Sequence, residues 1–80
     1  PQDKRAYLLL IQIAEKNNDL EKALSVAKEA LRKLPADSEI VYKAACVFDR
    51  NGQLSESNSL YEKAYELNKI GAAQIMGKTR

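Results

Sequence analysis

An all-α stack of helical hairpins is predicted by three observations. The chain repeats itself at an offset of 34 residues: Glu15-Lys16-Asn17-Asn18-Asp19-Leu20 returns as Asp49-Arg50-Asn51-Gly52-Gln53-Leu54, and Ile13, Ser25, Val26 and Ala30 map onto Val47, Ser59, Leu60 and Ala64. Apolar residues recur at helical spacing, and neither flank of Asn51-Gly52 alternates with period two as a hairpin of strands would. Three short breaks divide the chain into four segments, and turns this short force consecutive helices to lie antiparallel. A fixed period in this range marks a solenoid, in which each unit buries its apolar face only by stacking on a neighbour. Such stacks build extended surfaces rather than reaction chambers.

The first segment, about Asp3 to Lys16, carries Tyr7, Leu10, Ile11 and Ala14 as its inner positions, and Asn17-Asn18 tolerates a left-handed helix exit. Asp19 can accept hydrogen bonds from the free amides of the second helix. That helix presents Leu20, Ala23, Leu24, Ala27, Ala30, Leu31 and Leu34; Arg32 and Lys33 suit its C-terminal end and Pro35 stops it. Asp37 or Ser38 caps the third helix, whose apolar positions are Val41, Ala44, Ala45, Val47 and Phe48, with Asn51-Gly52 as its exit. The fourth, about Leu54 to Lys69, presents Leu54, Leu60, Tyr61, Ala64 and Leu67 before meeting Gly71. In the tail Ile75 continues the series Tyr7, Val41, whereas Lys78 falls where Leu10 and Ala44 had been apolar. The tail therefore reads as the start of a third hairpin or a short capping helix, with Ile75 and Met76 covering the second hairpin. The organisation expected is one domain over 1–80, with repeats at 3–36 and 37–70 and a partial unit at 71–80.

Composition narrows the function. Thirteen basic and 11 acidic residues give a net charge of +2 and are interspersed, unlike the one-signed stripe of a nucleic-acid binder. The longest apolar run, Ala6 to Ile11, is far short of a membrane span, and the opening residues lack the basic-then-apolar pattern expected of a signal peptide. Beginning at Pro1 and ending in mid-pattern, the chain reads as a piece of something longer. The single cysteine, Cys46, excludes an internal disulfide and a cysteine-based zinc site, and points to a reducing, intracellular (cytoplasmic) setting. Without histidine the chain lacks the commonest general base and metal ligand, so no catalytic, metal or cofactor site is expected. The carboxylate pairs Asp3 with Glu15 and Glu62 with Glu66 read as solvated helix faces, which do not drive pKa values apart. Gly77-Lys78-Thr79 has the look of a phosphate loop but lacks its spacing and preceding strand.

The pattern over about Asp3 to Lys69 resembles the tetratricopeptide repeat, a helix-turn-helix unit of 34 residues. Its positions are matched in the first unit by Tyr7, Leu10, Ala23, Ala30 and Pro35, and in the second by Val41, Ala44, Ala45, Phe48, Gly52, Tyr61 and Ala64. Small residues let helices approach, and large ones beside them fill the gaps. Ile11 stands where the family prefers Gly or Ala, while Ala14 and Ala27 take places usually aromatic, which suggests an exchange of volume. Ser57 replaces the usual Ala and Lys69 the usual Pro. The resemblance implies a right-handed superhelix.

It also implies a concave face lined by the first helix of each hairpin. On that face stand Arg5, Leu8, Gln12, Glu15 and Lys16 from the first unit, and Glu39, Tyr42, Cys46, Asp49 and Arg50 from the second. Leu8 and Tyr42 are its apolar members, and an exposed Tyr can anchor an interface. The carboxylate clamp of chaperone-binding relatives is not expected, because Leu8 and Gln12 stand where its Lys and Asn would be. The function expected is a non-catalytic scaffold that docks a protein or peptide segment, without nucleic acid or membrane. Its rival is a spacer or self-associating (homo-oligomeric) segment; RNA binding by related base-reading hairpins ranks below both.

Overall fold

The computed structural model describes residues 3–78, with side chains over 3–69. Four helices follow one another: α1 (Lys4–Lys16), α2 (Leu20–Lys33), α3 (Ser38–Arg50) and α4 (Leu54–Lys78), with no strand among the described residues.

Local chemistry accounts for their ends. Asp3, Asp19 and Asp37 each cap a helix, their carboxylates accepting from the amides of Arg5, of Lys22, and of Glu39 and Ile40. The two hairpin turns share one backbone design. Asn18 (φ 57°) and Gly52 (φ 79°) take the left-handed conformation. The next amide reaches back five residues, Asp19 N–H to Ala14 C=O at 2.8 Å and Gln53 N–H to Phe48 C=O at 3.0 Å. The left-handed residue itself donates to Glu15 or Asp49, at 3.0 Å in both turns. This pair of bonds satisfies carbonyls that the helix end would leave free. Repeated chemistry at the 34-residue offset thus gives a repeated turn.

α3 packs against both α1 and α2, whereas α4 packs against α3 alone among the described residues. The helices are therefore stacked in sequence rather than gathered about a common axis. Ile11, Ala14, Ala23, Ala27, Ala44, Val47 and Phe48 form the main buried cluster between the hairpins. Ile11 and Phe48 supply its bulk while the alanines let the helices close up, and the large and small positions expected to exchange, Ile11 and Ala14, meet within it. Tyr7, Ala30 and Ile40 form a second cluster at the other end of the same interface.

Several inner positions are corrected. Leu10, Leu20 and Leu54 are exposed, not buried. Leu10's counterpart, Ala44, is fully buried because the first hairpin packs on that face of α3; among the described residues no helix packs on the same face of α1. Ile40 and Ser57 are buried although the periodicity did not select them, the Ser57 hydroxyl donating to the Leu54 carbonyl at 3.0 Å. α4 does not stop at Gly71 but continues unbroken through Lys78. Lys69, standing where Pro35 ends α2, permits this, and a helical Gly costs only about 1 kcal/mol. The covering role expected of Ile75 and Met76 lies outside the residues whose side chains are described.

Candidate functional site

Parallel placement of α1 and α3 sets the equivalent faces of the two hairpins side by side. Between them runs a cleft of about 490 Å³ lined by Leu8, Gln12 and Glu15 from α1 and by Glu39, Tyr42 and Lys43 from α3. Five of the ten residues expected on this face line it: Leu8, Gln12, Glu15, Glu39 and Tyr42. Leu8 is half-buried, and Tyr42 is 56% exposed.

The other five fall outside the lining. Arg5 is turned towards Asp3, with its guanidinium 3.7 Å from the carboxylate. Lys16 and Asp49 are exposed at the far end. Arg50 reaches Glu15 at 3.8 Å from outside the cleft. Cys46 is half-buried behind Tyr42, where it accepts a hydrogen bond from the Tyr61 hydroxyl at 3.6 Å. That bond first, and then burial, push Tyr61 up to about 12. Tyr61 and Tyr42 meet edge to face with centroids 5.7 Å apart, which fixes the Tyr42 ring from behind.

Sequence reasoning missed Lys43 and Lys4. Lys43 contacts Glu15 at 3.2 Å, so Glu15, with its side chain only 12% exposed, is held between Lys43 and Arg50. It is not the solvated carboxylate it was expected to be. The available signal was the seven-residue spacing of Lys43 and Arg50, which places both on one face of α3. Lys4 bridges Glu39 at 3.0 Å and Asp37 at 3.6 Å. The hydrogen bond to Glu39, then the charge of Asp37, hold its pKa above the ordinary lysine value. The acids of the cleft are thus neutralised from its rims, leaving Leu8 and the Tyr42 ring as its apolar floor and wall.

A second cleft of about 510 Å³ opens on the far side of Tyr42, lined by Ser38, Glu39, Tyr61, Ala64, Tyr65 and Asn68 as well. It lies on the outer end of the second hairpin. Tyr65, 66% exposed, and the cleft itself were not anticipated. No group of residues suited to hold a metal ion occurs among the described residues, and none of their helices is long and apolar enough to cross a membrane.

Tandem antiparallel hairpins with a 34-residue period, closed by alanines and presenting an open trough, define a helical-repeat protein. The family model of the tetratricopeptide repeat matches residues 4–45, from α1 into α3, and the chain belongs to that family. Tetratricopeptide repeats are generally protein–protein interaction modules and typically non-catalytic. No curated protein and no solved structure matches the chain.

Proposed function

We propose that the trough between α1 and α3 docks a segment of a partner protein, without chemistry, and that Tyr42 anchors it. The observation carrying this reading is the exposed Tyr42 ring, braced by Tyr61 and facing Leu8 across the cleft. A ring held in place before binding adds contact area with little entropy left to lose. Because Lys4, Lys43 and Arg50 already occupy Glu39 and Glu15, the trough favours a segment of low net charge. Such binding should depend weakly on salt.

Peptides selected on the immobilised chain from a random displayed library provide the test, followed by fluorescence titration. Tyr42→Ala is expected to raise the dissociation constant about tenfold or more, as removal of an interface anchor does. Equal affinity of the variant for every selected peptide would remove Tyr42 from the site. Titration with single-stranded RNA separates the nucleic-acid reading, for which binding should be tight and steeply salt-dependent.

A further inference from the structure

The two ends of the stack carry matching halves of an interface that the molecule already builds once internally. Where α3 seats on the first hairpin, Ile40, Ala44 and Val47 are at most 1% exposed. Ile40 belongs to one cluster with Ala30, against which Leu31 and Leu34 pack, and Ala44 and Val47 belong to another with Ala23 and Ala27. Moving back by the 34-residue period, the counterparts of the three α3 residues are Ala6, Leu10 and Ile13 on α1, all exposed, the last two at 43% and 47%. Moving forward, the counterparts of Ala27, Ala30, Leu31 and Leu34 are Tyr61, Ala64, Tyr65 and Asn68, which line the open 510 Å³ cleft of the second hairpin. One end therefore presents the inserting face and the other the receiving seat.

We infer that a second copy of this chain occupies the seat, its α1 lying on α3 and α4 as α3 lies on α1 and α2, so that copies join head to tail. Shape supports the fit. Tyr65 is larger than Leu31 where Ala6 is smaller than Ile40, and Tyr61 leans back onto Tyr42 and Cys46 instead of filling the seat. Charge supports it too. The internal pair Arg50–Glu15 translates by one period into Lys16 of one copy and Asp49 of the next, both exposed and among the residues the trough does not use. The Lys4–Glu39 pair has no such counterpart, since one period on it becomes Ser38 of one copy and Arg5 of the next. The contact is heterologous, so every added copy again presents one free half at each end and assembly extends with concentration until a ring closes. It goes beyond the peptide-docking proposal, since it uses the ends of the stack; joined copies would prolong the trough.

Sedimentation of the 80-residue chain over micromolar to millimolar concentrations should show average mass rising through dimer to larger species. The double variant Leu10→Lys/Ile13→Lys blocks the inserting face and Tyr65→Lys the seat. All three side chains are exposed, so circular dichroism should be unchanged. Each variant alone should weaken association by at least about 30-fold. Mixed, the two should form a one-to-one complex that grows no further, because each retains the half that the other lacks. A wild-type mass that stays monomeric, or blocked variants that fail to pair when mixed, would overturn the proposal. So would blocked variants that still associate alone.

Discussion

The first and second hairpins share turns and period, yet they differ wherever a neighbour is present for one and not for the other. Ala30 and Ala64 are both buried inside their own hairpins, but Leu31 is half-covered by α3 while Tyr65 stands open. Glu15 is clamped between Lys43 and Arg50, whereas Asp49 at the same place in the second unit is exposed. Val47 is buried and Ile13, its counterpart, is half in water. The difference teaches that a repeat fixes its own hairpin but not its own burial, which is granted by the unit beside it.

That contrast can be broken most severely at the shared interface. Phe48→Ala opens a cavity between the hairpins and should cost about 3–5 kcal/mol in denaturant unfolding. Tyr65→Ala, at the open end, should stay within about 0.5 kcal/mol of wild type in dilute protein. Equal losses at the two positions would show that the seat is not open.

The left-handed turn residue comes next. A Cβ at Gly52 meets nothing within 4 Å, so the cost of Gly52→Ala is backbone strain alone, about 1 kcal/mol. Asn18→Gly, at the equivalent turn, should be neutral or slightly stabilising. The charge contrast is comparable in size. Glu15→Gln should lose about 1 kcal/mol and Asp49→Asn close to nothing, a difference that shrinks in high salt.

The smallest effect on stability near neutral pH is expected at Tyr61. In absorbance titration Tyr61 should ionise near 12, and Cys46→Ala should bring it back towards 10. Since the folded chain holds this proton more tightly than the unfolded chain, the contribution is complete below about pH 10. It is lost as pH rises through 12.

Much of the fold was legible in the sequence because it is local. The Asp19 and Asp37 caps, the Asn17-Asn18 and Asn51-Gly52 exits and the alanine stripe of α2 act within one turn or one hairpin, and residues a few positions apart suffice to set them. The end of α4 was misjudged because Gly71 is only a weak breaker, and Pro, present at 35, is absent from 69. The shared faces of Leu8 with Gln12 and Glu15, and of Glu39 with Tyr42, were legible as well, since helical spacing alone sets them. Lys43, Lys4 and the Tyr61–Tyr42–Cys46 cluster were not, because their partners sit on other helices.

The sequence by itself determined four helices, their turns and their pairing into hairpins, since hydrogen bonds and dihedral preferences act between near neighbours along the chain. Tertiary structure alone decided which apolar faces meet and which acids are clamped, and left Leu10, Ile13 and Tyr65 in water while their counterparts are covered. The physical reason is that removal of a side chain from water depends on what lies across the interface, and identical local pattern at positions 34 apart carries no information about that.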